Sequence, residues 1–496
     1  MIMAQEQSIL KVKRQVEDLA QLVREASRES RPIDEVERDL WKGILQVGLS
    51  MLEGFVAGCG SGDLGQTIEH EGHTLCRLDD LHHHRYVSVF GELKIPRTVY
   101  GTRETQKHEL VPLDALLNLP DSQFGYLLQE WDQQFCVQGS YEQSRRTVQQ
   151  ILELGQSVRS LEQMNGSMAS VVEPFRQSQA RPPAKEEGSI LVVTADGKGV
   201  PMRRDPDQDA PPIRGRRKKG EKANKKRQAC VGAVYTIDPF DRTAQDVVDE
   251  VLRDERQKDR PQPLHKQLRA ELSRPVDGVE ISGKEPIFEW FAEQVKARNP
   301  NGNKPVICVM DGDRALWKLA TAMLVNVVCV LDIFHVLERL WQAAHCFHPE
   351  GSEEAQQFVS ERLERILEGE VGRVIGGLKQ MATKGNLRGS RAKQLTAAIG
   401  YLERNRSLMQ YDDCLANGYP IGSGVVEGAC RHLVKDRMEL TGMRWCIHGA
   451  QAMLSLRSVL LNEDWNKFHT YRIEHETQRM YPHRHEVVEL KRRAAA

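Results

Sequence analysis

Two short apolar runs in this chain each end on Asp-Gly, and this repeated ending constrains the fold more than any other feature. The first run covers 190–195 and leads into Asp196, and the second covers 306–310 and leads into Asp311. Runs of five or six apolar residues that stop at a turn signal predict buried strands. Because ligand sites of α/β sheets form at strand ends, we expect both carboxylates at one edge of one sheet.

A third acid, Glu427, opens a helical pattern after the glycine-rich turn 421–424. Asp196, Asp311 and Glu427 together form the ligand set expected for a pair of Mg²⁺ ions that act on phosphodiesters, with Mn²⁺ able to substitute. Each acid also has an ordinary explanation, since strands often end in Asp-Gly turns and a glutamate stabilises a first helical turn. Arg431 and Lys435 favour the first interpretation, because they follow Glu427 on nearly the same helix face and suit a DNA backbone.

The bulk composition restricts the function less than these motifs do. The chain has 496 residues, a formal net charge of −1 and a mean hydropathy of −0.52, which fit a soluble protein of several domains. Its ten cysteines form no CxxC pair, which favours reduced thiols over disulfides. No apolar run approaches the roughly 18 residues of a membrane span and no signal-peptide pattern is present, so we expect a cytoplasmic protein without a membrane partner.

With so little net charge, binding to nucleic acid has to depend on local basic clusters. The strongest cluster, 213–227, lies between two predicted strands. Such a run is ordinarily a solvated loop, but beside a nuclease-like sheet it is better interpreted as a flexible arm that becomes ordered on DNA. Its candidate DNA-binding residues are Arg214, Arg216, Arg217, Lys218, Lys219, Lys222, Lys225, Lys226 and Arg227.

The N-terminal part is mainly helical in pattern, with one small β-hairpin. Apolar residues follow a coiled-coil-like seam over 8–29, which is short and only weak evidence for a dimer. The seam consists of Ile9, Val12, Val16, Leu19 and Val23. A second amphipathic helix covers 33–56, and alternation over 85–100 predicts the hairpin with its turn at Gly91-Glu92. Histidines between 70 and 84 match no standard zinc spacing, so a metal there stays an open question.

Residues 122–168 are helical in pattern, with breaks at 139–140 and 155–157. Three short helices separated in this way fit a helix-turn-helix that directs Arg159 and Gln163 toward bases. A helical bundle with glycine-containing turns explains the pattern equally well.

From residue 189 the pattern changes to strands alternating with helices, which predicts an α/β domain with a mixed sheet. The expected organisation is as follows: 1–110 N-terminal helices and hairpin, 111–175 possible helix-turn-helix region, 176–188 linker, 189–345 first part of the catalytic core, 346–412 helical insertion, 413–462 final part of the core, and 463–496 C-terminal tail.

Four motifs in this order resemble those of known proteins. They are Thr194–Met202 (TADGKGVPM), Asp311–Trp317 (DGDRALW), Leu331–Val336 (LDIFHV) and Ile421–Gly428 (IGSGVVEG). Together they resemble bacterial insertion-sequence DDE transposases, with the ISKra type in the wider Mutator-like lineage as the nearest group. The resemblance extends over nearly the whole chain.

This resemblance implies a ribonuclease H-like catalytic domain with an all-helical insertion between the second aspartate and the glutamate. By motif position, Asp196, Asp311 and Glu427 correspond to the catalytic triad, while Asp332 and His335 match an Asp-x-x-His element that acts near the scissile bond. Relatives often carry cysteine pairs in the N-terminal hairpin region, and this chain lacks them. Judged from the residues alone, His335 could be an ordinary surface or core histidine, and Asp313 is better explained as a helix N-cap than as a ligand.

The expected function is therefore transposition by metal-dependent DNA cleavage and strand transfer. The expected partners are terminal inverted repeats, target DNA and further copies of the chain, in a homodimer or a larger assembly. The expected location is the bacterial cytoplasm, with association to the nucleoid when DNA is bound. Two alternatives remain: a catalytically inactive DNA-binding protein derived from a transposase, and a nuclease of the same fold that cuts without joining. Metal-dependent nicking separates the first alternative from the transposase, and strand-transfer products separate the second.

Overall fold

The chain divides into two compact units. The computed structural model describes residues 2–70, 72–102, 110–203, 226–253, 259–276, 279–385 and 387–495. The first unit consists of Met1–Phe175 with Trp465–Ala496, and the second of Arg176–Asp464. Nearly all of the segment expected to be a C-terminal tail therefore belongs to the first unit. Among the helices of the described ranges, none combines the length and the apolarity that crossing a membrane requires.

The first unit opens with a pair of antiparallel helices, α1 (Ile2–Arg28) and α2 (Ile33–Cys59). Glycines let the two helices approach closely, since a Cβ added at Gly43 would lie only 2.3 Å from Leu19 Cδ2. Near the other end, a Cβ added at Gly54 would lie 3.2 Å from Ser8 Cβ. These contacts fix which side of each helix faces the other.

Two small sheets and five helices follow. The strands are β1 (Thr67–His70), β2 (His73–Arg77), β3 (His82–Ser88), β4 (Gly91–Arg97) and β5 (Tyr100–Gly101). The helices are α3 (Pro112–Leu117), α4 (Tyr126–Cys136), α5 (Tyr141–Leu152), α6 (Val158–Ala169) and α7 (Val172–Ser178). One sheet has the order β1-β2-β5, and β3 pairs with β4 as a hairpin. Helix α7 extends past the unit boundary, so the segment expected to be a linker begins with helical residues.

The predicted hairpin forms, but its turn lies two residues earlier than the sequence indicated. Ser88, the last residue of β3, pairs with Gly91, the first residue of β4, so the turn is formed by Val89 and Phe90. Ser88 stabilises it, because its hydroxyl donates to the Gly91 carbonyl at 3.0 Å and accepts from the Phe90 N–H at 3.1 Å. Hydrogen bonds from the Ser88 hydroxyl therefore stabilise a turn at Val89-Phe90, in place of the turn at Gly91-Glu92 that the sequence favoured.

The expected breaks of the helical region coincide with serine caps. The Ser140 side chain accepts from the N–H of Gln143 at the start of α5, and that of Ser157 from the N–H of Ser160 at the start of α6. Arg159 is exposed on α6. Whether these helices bind DNA as a helix-turn-helix stays a prediction.

The second unit is built on a five-stranded mixed sheet, which confirms the predicted α/β class. Its elements begin with β6 (Ile190–Pro201), β7 (Lys226–Ile237), α8 (Ala244–Arg253), β8 (Leu264–Leu272), the short pair β9 (Arg274–Val276) and β10 (Val279–Ile281), α9 (Lys284–Arg298), β11 (Val306–Met310), α10 (Arg314–Met323), β12 (Val327–Leu331) and α11 (Ile333–Ala344). The strand order is β12-β11-β6-β7-β8. Strands β6, β7 and β8 are antiparallel neighbours, whereas β11 is parallel to both β6 and β12.

Strand β11 shows why the sheet is covered on both faces. All five of its residues are buried, and alternate side chains enter two different apolar clusters. Ile307 and Val309 pack with α11 and the helices that follow it, while Cys308 and Met310 pack with α9 and α10. A continuous apolar run of this kind is the pattern of a strand buried on both sides.

Strand β6 is longer than expected. The sequence predicted that it ends at Asp196, but antiparallel pairing with β7 continues to Pro201, which lies opposite Lys226. Asp196 is therefore a mid-strand residue opposite Val231. Lys226 and Arg227, which were expected in a flexible arm, are the first residues of β7. The rest of the expected arm, including Arg214 through Lys225, lies outside the described residues.

The remaining helices lie between α11 and the end of the unit or return to the first unit. They are α12 (Glu353–Leu367), α13 (Val371–Lys384), α14 (Gly389–Arg404), α15 (Tyr411–Ala416), α16 (Gly424–Ala429), a π-helical turn (Cys430–Lys435), α17 (Asp436–Met438) and α18 (Ile447–Leu461). The last two helices, α19 (Trp465–Met480) and α20 (Arg484–Ala495), belong to the first unit.

Candidate active site

Two predicted acids lie on neighbouring strands of the sheet. Strand β6 pairs in parallel with β11 as far as Val193 opposite Cys308, and continuing this register brings Asp196 level with Asp311. Burial raises the pKa of Asp311, and the negative charge of Asp196 raises it further. The N–H of Asp313 opposes this shift by donating to Asp311 Oδ1 at 2.9 Å. The two carboxylates are therefore close enough to repel each other.

The next strand contributes Asp332, which directly follows β12 and caps helix α11. Its carboxylate is fully buried and accepts four hydrogen-bonding contacts. Ser423 Oγ donates to it at 2.6 Å, the N–H groups of Phe334 and Ser423 donate at 3.1 and 3.3 Å, and His335 Nδ1 lies 3.1 Å away. Burial alone would raise the pKa of Asp332, but these partners outweigh it and leave the pKa below its usual value.

His335 lies in the first turn of α11, between the acids. Its contact with Asp332 raises the pKa of His335 to about 9, and the charges of Asp332 and Asp311 add to this effect against the opposing effect of burial. The imidazole is therefore protonated at neutral pH. Because Asp332 holds Nδ1, the Nε2–H remains available for a second partner.

Glu427, on α16, completes the group. Burial raises the pKa of Glu427, and so do its interactions with Asp332 and the charge of Asp196, whereas His335 lowers it. Ligand atoms of Asp332, His335 and Glu427 all lie within 4.8 Å of one another. In the part of the chain that the structure describes, this is the group of three whose spacing suits a metal ion. The structure thus gathers all five predicted residues in one region, but the tightest group is not the predicted triad.

The donor set is compatible with a divalent cation. Asp196 interacts electrostatically with both Asp311 and Glu427, and its charge adds to burial in raising the pKa of each. Within this cluster His335 is the cation that lowers both shifted values. Carboxylate oxygens suit Mg²⁺ and Mn²⁺, whereas a protonated imidazole has no free lone pair for a metal. The saturated hydrogen bonding of Asp332 makes it a poorer ligand than the other three acids.

Asp313 has the role that the sequence indicated. It is the N-cap of α10, with Oδ1 accepting from the N–H of Ala315 at 2.8 Å, and it forms an ion pair with Lys284. Hydrogen bonding and the charge of Lys284 outweigh burial and lower the pKa of Asp313. Asp313 is thus an aspartate two residues from Asp311 whose contacts, the helix cap and Lys284, are structural.

Sequence reasoning missed three residues of this site. Ser423 donates to Asp332 from a turn that was noticed only for its glycines. Burial raises the pKa of the Cys430 thiol, and its interaction with Asp196 raises it further. Tyr401 of α14 packs on Gly312, where an added Cβ would lie 2.7 Å from the ring. The glycine of Asp311-Gly312 was a usable signal, since it is needed for this close approach.

The predicted DNA-binding residues are only partly described. Lys226 forms an ion pair with Glu439 at 2.5 Å, and Arg227 pairs with Glu280. Arg431 and Lys435 are exposed on the π-helical turn, where Arg431 lies 3.8 Å from Asp436. The wider turn of a π-helix changes the expected alignment of these two residues with Glu427.

A cavity of about 420 Å³ lies beside Glu427, within the roughly 300–1,000 Å³ range of ligand pockets. Phe334, Val425 and Phe240 contribute to its walls. The guanidinium of Arg242 lies 5.1 Å from the centre of the Phe240 ring, and burial lowers the pKa of Arg242 to about 10. The space next to the acids is thus lined by aromatic groups and a cation.

Comparison with known proteins adds little to this geometry. No protein-family model matches the chain, and no curated protein matches it. Among solved structures, the chain is similar to the Drosophila P element transposase strand transfer complex, with 10% sequence identity and a TM-score of 0.24. That match covers 72% of this chain and 82% of the other. A TM-score this low does not establish a shared fold, so the function has to be argued from the site.

Proposed function

We propose that this protein is the transposase of a bacterial insertion sequence of the ISKra type, in the Mutator-like lineage, and acts on DNA in the bacterial cytoplasm. In this proposal the second unit is a ribonuclease H-like catalytic domain with a helical insertion. The mixed sheet supports it, with three antiparallel strands followed by two parallel ones and helices on both faces. The helices α12 to α15, which separate Asp311 from Glu427 in the sequence, support the insertion.

The observation that carries the proposal is the acidic group at the sheet edge. Asp196 and Asp311 come from adjacent strands, and Glu427 approaches them from a helix that is distant in the sequence. Burial and the charges of neighbouring carboxylates raise the pKa of Asp311 and Glu427, which is a cost to the folded protein without an evident structural return. A divalent cation would convert this repulsion into attraction.

In this proposal Asp196, Asp311 and Glu427 hold Mg²⁺, with Mn²⁺ able to substitute. When bound, the metal supplies activation of a water or 3′-hydroxyl and stabilises the leaving oxygen. His335, protonated at neutral pH, can donate Nε2–H to a phosphate oxygen at the scissile bond. Asp332 acts through His335 by holding Nδ1 and orienting the ring, so it is a positioning residue.

DNA contact is proposed for the basic residues around this edge. Exposed Arg431 and Lys435 would bind backbone phosphates, and the basic segment that ends at Arg227 would add further phosphate contacts. Terminal inverted repeats and target DNA are the proposed substrates. Pairing two DNA ends favours a homodimer or a larger assembly.

The test is a cleavage and joining assay with the full chain. Labelled DNA that carries the element's true ends is incubated with a target plasmid and Mg²⁺ or Mn²⁺. Wild type is expected to yield joined products, while Asp196→Asn, Asp311→Asn and Glu427→Gln lose cleavage roughly 1,000-fold or more and keep DNA binding. Asp313→Asn is the matched control, because asparagine still caps α10 and cleavage should persist.

Each other outcome of the assay would indicate a different function for this protein. Cutting without joining by wild type would favour a nuclease of the same fold. Binding without metal-dependent cutting would favour an inactive DNA-binding protein. Full cleavage by any one of the three acid variants would remove that residue from the proposed site.

A further inference from the structure

The α1–α2 pair exposes an unusually apolar surface. Eight apolar residues on these helices are 44–57% exposed. Six of them lie on one side of the pair, away from Leu10 and Trp41, and we call these six the hairpin face: Ile9, Val16, Val23, Ile44, Met51 and Phe55. The largest exposed apolar patch on a soluble protein is often an interaction site. The apolar seam expected from the sequence does not lie on one side of α1. Val12 and Leu19 are half-buried, whereas Ile9, Val16 and Val23 are exposed.

The six residues lie on one side of the pair. Ser8 and Gly54 mark where α1 and α2 face each other, and Leu19 and Gly43 mark it further along. Ile9 and Phe55 each come one residue after such a contact, which turns them about 100° around their helices. Antiparallel helices turn in opposite senses when viewed from one end, so the same step brings both stripes to the same side. Val16, Val23, Ile44 and Met51 continue these stripes at helical spacing.

The spacing within the face indicates another helix pair as its partner. Ile9, Val16 and Val23 follow each other at intervals of seven, as do Ile44 and Met51. Repeats of seven are the pattern of helices that pack against other helices in left-handed bundles. DNA and an anionic membrane fit less well, because the charged residues that border the face alternate in sign and supply no excess of cations for phosphates.

Charge and area favour a second copy of the same chain. Exposed residues on the outer border of the α1 stripe alternate in sign, as in Glu6, Lys13, Glu17 and Arg24, so an antiparallel copy can pair unlike charges. At about half exposure, the six side chains leave on the order of 500 Å² accessible per copy. A standard interface takes about 800 Å² from each partner, so this face with its polar border is close to sufficient.

We infer that the hairpin face binds the same face of a second copy, so that two α1–α2 pairs form an antiparallel four-helix bundle. The two-fold arrangement is isologous, which is the commonest form of homodimer. This inference gives the proposed dimer a surface. It does not depend on the chemistry of the sheet edge, so it can fail while the cleavage proposal holds, and the reverse.

The test measures the mass of the full chain in solution, without DNA or metal, by light scattering and sedimentation equilibrium. Wild type should be a dimer, and Val16→Glu with Met51→Glu should raise the dimer Kd roughly 100-fold or more, since four carboxylates would enter an apolar interface. Leu10→Glu is the matched control. Leu10 is 53% exposed, as Val16 is 50% exposed, but points away from the hairpin face, so its substitution should leave the Kd unchanged.

Circular dichroism establishes that the variants are folded, and the milder pair Val16→Ser with Met51→Ser replaces the glutamate pair if it is not. A monomeric wild type at micromolar concentration would overturn the inference. An unchanged dimer Kd in the variant with Val16 and Met51 both substituted would also overturn it, because the interface would then lie elsewhere.

Discussion

Two neighbouring strands of the same sheet end in aspartates with opposite properties. Asp311 follows β11 and Asp332 follows β12, and the two strands pair in parallel up to Met310 opposite Leu331. Asp332 is the more deeply buried, yet its pKa is lowered, whereas the pKa of the half-buried Asp311 is raised. Depth of burial therefore does not decide which carboxylate is destabilised.

The difference lies in the partners of each carboxylate. Asp332 receives donors from Ser423, Phe334 and the protonated His335, which compensate the loss of water. Asp311 receives one N–H and faces the charge of Asp196. Asp332 thus has enough hydrogen-bond donors and positive charge to stabilise its ionised form, and Asp311 does not. The first has the features of a positioning residue and the second those of a group waiting for a cation.

The largest expected effect is the loss of stability when Asp332 is removed. Asp332→Ala should lower the free energy of unfolding by about 3–5 kcal/mol, because it leaves a charged imidazole and a buried hydroxyl without their partner. The measurement is urea unfolding followed by circular dichroism, in metal-free buffer.

Asp313→Ala is the control for a helix cap outside the Asp332 network, whose other partner is Lys284 in an ion pair nearer the surface. Asp313 caps α10 as Asp332 caps α11, but it lies nearer the surface, so its removal should cost only about 1 kcal/mol. Equal losses in the two variants would mean that the network around Asp332 contributes nothing beyond the cap, and the contrast with Asp311 would disappear.

Much of this arrangement could be predicted because it is local. Apolar runs identify β6, β11 and β12, and the residue after each parallel strand is easily found. Strand β8 was not located in the sequence, since its charged residues resemble neither a buried nor a regularly alternating strand. Its edge is completed by the side chains of Gln451 in α18 and of Asn462 directly after it, which accept from the N–H groups of Leu272 and Leu268 at 2.8 Å. These partners are more than 170 residues away in the sequence.

The same limit applies to the site. Position after a strand predicts Asp311 and Asp332 equally well and gives no sign that their pKa values move in opposite directions. That outcome depends on Ser423, which is 91 residues from Asp332, and on Asp196, on another strand. Packing of Tyr401 against Gly312 likewise joins the helical insertion to the sheet. Single-sequence reasoning has no access to such pairs.

The second prediction concerns pH and tests whether His335 is the partner that distinguishes Asp332. A histidine whose pKa is raised to about 9 in the folded state stabilises the protein fully below its usual value near 6.5. This contribution is lost as the pH rises through 9. His335→Gln should therefore cost about 1.5–3 kcal/mol at pH 6 and much less at pH 10, measured by unfolding in EDTA. A loss that is the same at both pH values would indicate that packing, and not charge, accounts for the role of His335.

The smallest expected effect has the opposite sign. Because the pKa of Asp311 is raised, its ionised form is disfavoured in the folded protein, and this cost is present above the usual aspartate range and disappears below it. Asp311→Asn should therefore stabilise the metal-free protein by up to about 1 kcal/mol at pH 8, since asparagine can still accept from the Asp313 N–H. Mn²⁺ should make the wild type the more stable of the two, because a cation that binds the folded wild type raises its Tm and has fewer ligands in the variant.

If Asp311→Asn is destabilising in EDTA, the surroundings of Asp311 are as complete as those of Asp332. If it is stabilising but Mn²⁺ raises both Tm values equally, the cation binds without Asp311, and the Asp332–His335–Glu427 group becomes the better candidate for its ligands.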